Sequence, residues 1–252
     1  MRGQCSKTYP DAITSKMENM RSRRNLCGQV VHDLGCKILA GEWNPGDPLP
    51  QEVALCDTMG VSRTVIREAI KSLAAKGLVQ SRAKRGTIVQ PARSWNYLDP
   101  EVLDWQTQAD DSGQLLFHLT EFRQAIEPAA AALAAERGSD EDLRKIETAC
   151  QEMADNTDNL EAFLQADLKF HTEILHATAN PFFSPVANVI SVSLESSLRV
   201  TNRQATDNRT SIPPHQAVAK AICDRKPEQA RAAMVALLGD AAARIQNAAD
   251  SQ

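Results

Sequence analysis

The sequence predicts a mainly α chain in two parts: an N-terminal unit of three helices and a two-stranded hairpin, then an all-helical antiparallel bundle of about seven helices. Three observations carry this. Apolar residues recur at helical spacing through most of the chain after residue 25. The one clear departure is a pair of short β-prone segments, Leu78–Ser81 and Thr87–Gln90, separated by basic residues and a glycine. Charge divides near the same place. Residues 1–93 hold 15 Lys and Arg against 8 Asp and Glu, net +7, and residues 94–252 hold 13 against 24, net −11. The total of −4 hides a basic unit joined to an acidic one.

The first helix, Asn25–Ala40, places Leu26, Val30, Val31, Leu34, Ile38 and Leu39 on one face. A Gly/Pro-rich turn, Gly41–Pro50, leads to a second helix, Gln51–Met59, which Gly60 ends. Ser62 is positioned to N-cap the third helix, because its hydroxyl can accept an orphan backbone N–H. That helix turns Val65, Ile66, Ala69, Ile70, Leu73 and Ala74 inward and Arg63, Thr64, Arg67 and Lys71 outward. The hairpin tip carries Arg82, Ala83, Lys84, Arg85 and Gly86, and Pro91 ends its second strand. Residues 25–91 therefore read as a winged helix-turn-helix. Taken alone, the third helix reads equally as a solvated amphipathic helix. The cationic hairpin and the +7 charge favour double-stranded DNA as partner, with Arg63, Thr64 and Arg67 entering a major groove and the tip residues Lys84, Arg85 and Gly86 meeting phosphate or a minor groove. Phosphate attraction acts over about 10 Å, so local charge outweighs the chain total. Residues 1–24 are polar and aperiodic and are expected to be a disordered tail. The alternatives are a minor-groove arm using Arg21, Arg23 and Arg24, or a true start at Met17 or Met20.

Residues 92–100 read as a linker and 101–248 as a helical domain. Asp99-Pro100 caps a short helix through Gln108. Further helices are expected at Gly113–Arg137, from Ser139 to Asp155 with a capping box at Asp142, at Asn159–Ala179, at Phe183–Gln204, from Pro213-Pro214, and from Pro227. Aromatics are only 4% and alanine is plentiful after residue 125, which suits packed helices. No apolar run approaches the roughly 20 residues of a membrane span, and no secretory leader pattern opens the chain, so a cytoplasmic protein is expected. Six widely spaced cysteines without a CxxC pair are expected to be reduced thiols. There is no P-loop, GxSxG or dinucleotide fingerprint.

Three polar residues fall on faces that should be buried. Asp167 and His171 are four apart on a helix whose core side carries Phe163, Leu164, Leu168, Ile174 and Leu175, and His215 shares a face with Val218 and Ile222. Burying them without partners would cost several kcal/mol. A divalent metal, zinc first and nickel or manganese next, would satisfy an Asp/His set, as would a hydrogen-bonded Asp–His pair with a water. Arg123 faces inward beside Leu119, Phe122, Ile126 and Ala130. Its guanidinium cannot shed its charge, so it wants an anion, either Glu127 four residues on or a bound carboxylate. Arg199 is a candidate second contact for that carboxylate.

The order of helix, NPGDPLP, helix, GVSRTVIREAIKSLAAKGLV and SRAKRGTIVQP resembles the GntR family of bacterial transcription regulators. FRQAIEPAAAALAAE, ADLKFHTEILHATANP and PHQAVAKAI resemble its FadR-type, or FCD, branch. WNYLDPEVLDW, Trp95–Trp105, is similar to the linker of sugar-acid repressors in that branch. The likeness covers about residues 25–245. It implies DNA contacts at Ser62, Arg63, Thr64, Arg67 and the wing, while a second-helix arginine common in the family is replaced here by Val53. It further implies an acid effector on Arg123 and a metal on Asp167, His171 and His215, with the family's last histidine replaced by Leu237. The expected function is a ligand-responsive repressor. As a homodimer it would leave a pseudo-palindromic operator when a small carboxylate, such as the sugar acid galactonate, binds. The alternatives are a metal-dependent helical-bundle enzyme and a regulator that senses the metal itself.

Overall fold

A computed structural model describes residues 26–110, 113–201 and 205–249. The tail 1–24, with Arg21, Arg23 and Arg24, lies outside the described residues, and so does the side chain of Arg199. The chain divides into two compact units at Asn96/Tyr97.

In the first unit α1 spans 26–39, α2 Glu52–Met59 and α3 Arg63–Ala75, followed by strands β1 Val79–Arg82 and β2 Gly86–Val89. Gly60 takes a left-handed conformation (φ 65°) that stops α2 and lets the chain reverse into α3. Ser62 caps α3 by accepting from Val65 N at 3.4 Å. The core side of α3 is Val65, Ile66, Ala69, Ile70 and Leu73. Ala74, expected inward, is exposed, and so is Leu26 at the start of α1; each lies where its helix runs past its packing partners. The strands pair antiparallel from Val79↔Val89 to Arg82↔Gly86, leaving Ala83–Arg85 as a three-residue tip. The Gly/Pro segment is more than a turn. Leu49 N donates to Thr87 O, Gly46 N to Val89 O, and Pro48 bridges Ile88, so it lines the free edge of β2. Gly77 (φ 77°) must be glycine, since a Cβ there would fall 2.0 Å from the Ser94 carbonyl oxygen. Of the residues expected to form a linker, 92–96 are folded against this unit. Ala92–Ser94 is a 3₁₀ turn, Trp95 Nε1 donates to Gln90 O, and Asn96 N to Lys76 O.

The second unit contains α4 Pro100–Ala109, α5 Gln114–Arg137, α6 Asp140–Asp155, α7 Leu160–Ala177, α8 Val186–Thr201, α9 Ala205–Cys223 and α10 Pro227–Ala249. Asp99 caps α4 and a full Ser139/Asp142 capping box opens α6, as the sequence signals. α5 packs on α10 and α7, and α6 packs on α7 and α9. Ala130, Ala131, Ala134 and Ala135 of α5 and Ala230 of α10 are buried to 1% or less, and such small side chains let helix backbones approach closely. One expected start is corrected. Pro213 and Pro214 lie inside α9, which begins eight residues earlier at Ala205. Proline favours a helix's first turn because its missing N–H costs nothing there. Here the preceding turns are held from outside: Asn208 Nδ2 donates to Thr157 O at 2.9 Å, and Arg209 pairs with Asp158 at 2.7 Å. Among the described residues no helix is long and apolar enough to cross a membrane.

Candidate functional site

Two sets of side chains stand out, one on each unit. On the first, Arg63, Thr64 and Arg67 of α3 and Lys84, Arg85 and Gly86 of the hairpin tip are all exposed. Val65, Ile66 and Ala69 are buried on the opposite side of α3, which aims the cations outward. Ser62 is exposed, with its hydroxyl engaged as the helix cap. Lys84 adopts a positive φ of 63°, uncommon for a residue with a Cβ, and Gly86 follows at 79°. These tight turns project Lys84 and Arg85 from the end of the ladder. Arg67 is not free: its Nε donates to Glu52 Oε2 at 2.9 Å, from α3 to the first turn of α2. The neighbouring Val53 is a half-exposed apolar residue.

In the second unit α5, α7 and α9 bring together Arg123, Glu127, Asp167, His171 and His215, each 5% exposed or less. Arg123 Nε donates to Glu127 Oε1 at 2.5 Å, so both partners foreseen for this arginine are at issue and the internal one is occupied. The other Glu127 oxygen faces His171 Nδ1 as an ion pair, without the alignment of a hydrogen bond. His171 Nε2 lies 3.3 Å from Asp167 Oδ1 and 3.3 Å from Arg123 Nη2. His215 Nε2 lies 3.2 Å from the same Asp167 oxygen, and its Nδ1 is 2.7 Å from Ser211 O. Phe170, fully buried, meets both imidazoles edge-on with centroids 5.4 and 5.2 Å away.

These contacts bear on the ring polarity. Ser211 O can only accept, so His215 presents a protonated Nδ1 to it, and the Glu127 carboxylate beside His171 Nδ1 favours a proton there too. Both Nε2 atoms then face Asp167. With neutral rings three acceptors converge, and the Arg123 guanidinium beside His171 Nε2 answers part of that charge; a proton on a ring or a metal ion would answer the rest. The ligand atoms of Asp167, His171 and His215 lie within 4.8 Å of one another. Glu127 behind His171 and the Ser211 carbonyl behind His215 are the supports that orient metal-binding imidazoles. The residues fit a divalent ion. Charge also shapes the titrations. Burial would raise the Glu127 carboxyl, but Arg123 and His171 outweigh it and hold it at about 2. Burial likewise works against Asp167, and its hydrogen bonds with His171 and His215 prevail, keeping it well below the usual carboxylate range. Burial disfavours the charged form of His171, yet Glu127 moves its pKa up.

The cluster opens on a cavity of about 40 Å³, room for water or an ion, so a molecule the size of a sugar acid enters only if the helices around it move apart. Its wall includes Phe163, Leu194, Ser197 and Ser211, and from α10 Leu237, Leu238, Ala241 and Arg244. Leu237, where the sequence resemblance would place a fourth metal ligand, is buried there and adds an apolar surface with no ligand atom. Sequence reasoning missed two residues. Glu127 was seen only as a partner of Arg123, although its i−4 relation to Ala131 and the buried alanine face of α5 could have placed it inside. Arg244 was missed because α10 is alanine-rich on several sides, so its inward face is poorly marked.

The family model for bacterial regulatory proteins of the gntR family matches residues 26–89, and that for the FCD domain matches 118–240. The galactonate operon transcriptional repressor of Escherichia coli K12 is 35% identical over 226 residues, spanning 88% of this chain and 97% of that protein. The transcriptional regulator LutR of Bacillus subtilis is 31% identical over 206 residues, spanning 80% and 92%. Among solved structures, Lar of Listeria monocytogenes, described as controlling expression of the agr system, has 21% identity and a TM-score of 0.58 over 88% of this chain and 96% of that one. That last likeness speaks for the fold alone.

Proposed function

Because the chain belongs to the GntR family of bacterial regulatory proteins and carries an FCD domain, we propose that this DNA-binding transcription regulator represses a sugar-acid catabolic operon and releases its operator when a small carboxylate binds the α-helical unit. The family and its relatives are transcription regulators rather than enzymes, which removes the helical-bundle hydrolase expected as an alternative. The observation that carries the reading is the buried Arg123/Asp167/His171/His215 cluster opening on a cavity inside the FCD domain. A sealed structural ion pair would need no cavity. The likeness to the galactonate operon repressor makes galactonate the first effector to try.

Asp167, His171 and His215 would hold a divalent ion, zinc by preference for its Asp/His donor set. When bound, the ion supplies positive charge and open coordination positions to an acid or hydroxyl. The protein would act in the cytoplasm as a homodimer, since a two-fold assembly presents two copies of α3 to a pseudo-palindromic operator. The effector changes DNA affinity only by as much as it prefers the released arrangement over the bound one.

The test is fluorescence anisotropy with the full-length protein and duplexes from upstream of its own gene and neighbours. Salt-dependent specific binding that galactonate weakens is expected. No preference for any such duplex over random sequence overturns the regulator's assignment to this locus. Specific binding that responds to zinc alone and to no sugar acid would favour the metal-sensing reading.

A further inference from the structure

Resting on the effector reading above, we infer that Arg244 is the anchor for the effector's acidic group, and that the effector is a polyhydroxy acid whose hydroxyl-bearing part faces the Asp167/His171/His215 cluster. Among the described residues two guanidinium groups stand on the cavity wall, Arg123 and Arg244. Arg123 is committed, with its charge answered by the buried Glu127 at 2.5 Å. Arg244 is half-buried and, among the described residues, forms no ion pair or hydrogen bond. Asp240 stands one turn before it on α10, but it is exposed and not paired with it.

Helix geometry explains how a residue near the end of α10 belongs to this site. Leu237, Ala241 and Arg244 stand at i, i+4 and i+7, on one face, and all three line the cavity. Ala241 has only a methyl group, so it leaves space between the leucine and the arginine. The other acids of the site are spent: Glu127 on Arg123 and His171, and Asp167 on the two histidines. Among the described residues none therefore neutralises Arg244, and its planar fork is suited to take a carboxylate through two parallel N–H donors. The remaining polar surface, the Asp/His cluster and the Ser197 and Ser211 hydroxyls, suits hydroxyl groups with or without an ion. A neutral sugar alcohol would leave Arg244 unanswered, so this site discriminates an acid from its alditol.

The experiment measures galactonate and galactitol affinity by calorimetry for full-length wild type, Arg244→Gln and Arg244→Lys, each loaded with zinc. Wild type should prefer galactonate by roughly tenfold or more, the worth of one charge-assisted carboxylate contact. Arg244→Gln should bring that ratio near one, and Arg244→Lys should keep part of it as a point charge. An unchanged ratio in Arg244→Gln overturns the anchor while leaving the sugar-acid effector intact. An equal loss of both compounds also overturns it, since that marks a packing role. If wild type binds no galactonate, the effector reading falls and the anchor falls with it.

Discussion

Arg67 and Arg123 are both arginines tied through Nε to a glutamate, Arg67 to Glu52 at 2.9 Å and Arg123 to Glu127 at 2.5 Å. Their surroundings are opposite. The first pair has side chains 64% and 38% exposed on the DNA-reading unit, and the second has 6% and 2% inside the bundle. A surface pair is worth about 0–1 kcal/mol, so Arg67 can exchange glutamate for phosphate or a base edge at little cost to the fold. A buried pair gains little when formed, but breaking it strands a charge, at about 3–5 kcal/mol. The DNA-reading unit therefore keeps its working charges decoupled from stability. Under the proposed function the bundle would bind ligand through residues whose charge balance is part of its stability, so that occupancy would be felt by the whole helical unit.

The comparison breaks most directly at Glu127. Glu127→Ala should destabilise the helical unit by about 3–5 kcal/mol, because Arg123 and His171 lose their shared counter-charge. Urea denaturation followed by circular dichroism checks it; a loss below about 1 kcal/mol would make the buried pair no different from a surface one. Next in size is Asp167→Asn, which removes the one carboxylate in the three-ligand set. Wild type in zinc at a hundred times its Kd should gain about 2.7 kcal/mol of stability, and the variant should lose that gain. An equal zinc-induced rise in Tm in both proteins would place the ion elsewhere.

Acid and base should act on the same cluster in a set order. Glu127 titrates at about 2 in the fold against 4.5 when free, so its contribution is complete above pH 4.5 and is lost as pH falls from there through about 2. His171 is raised above 6.5, so its contribution is complete below pH 6.5 and is lost as pH rises through the raised value. In chelator-treated protein this cluster should stabilise most between those limits. Zinc should move the optimum upward, since it replaces the ring proton. A pH–Tm profile that zinc leaves unshifted would argue against ion binding by the imidazoles.

Arg63→Ala tests the other side of the comparison. Specific operator binding should fall by about 1–3 kcal/mol, with folding stability changed by less than about 0.5 kcal/mol. A comparable loss of stability would mean that Arg63 is not the detached, exposed group its position at the start of α3 indicates.

The same contrast explains what could be read from sequence. An exposed face on a helix of strong period is legible: the buried face Val65/Ile66/Ala69/Ile70/Leu73 fixes the outward face, which carries Arg63, Thr64 and Arg67. Asp167 and His171 were legible because polar residues on an apolar stripe violate the pattern. His215 was found as a residue, but the start of its helix was missed, because the Asn208 and Arg209 contacts that hold the turns before Pro213 come from the α6–α7 connection. Those contacts reach across about fifty residues, which no local pattern records. Glu127 and Arg244 lie on helices whose alanines blur the inward face, so their membership of the site depends on packing.

The smallest expected effect lies at Glu52, and it separates two roles for the surface pair. If Glu52 merely occupies Arg67 in the free protein, Glu52→Gln removes a competitor and one negative charge facing DNA. Operator affinity should then rise by up to about 1 kcal/mol, with a steeper salt dependence. If Glu52 instead holds Arg67 in the orientation that reads a base, affinity should fall and discrimination against mutated operators should fall with it. The pair is exposed and Arg67 has one carboxylate partner, so the first outcome is expected. Anisotropy titrations at two salt concentrations, on the native operator and on one changed at a recognition position, distinguish them. A glutamine variant with weaker, less selective binding would make Arg67–Glu52 a positioning device, and surface exposure alone would no longer mark a charge as free to exchange.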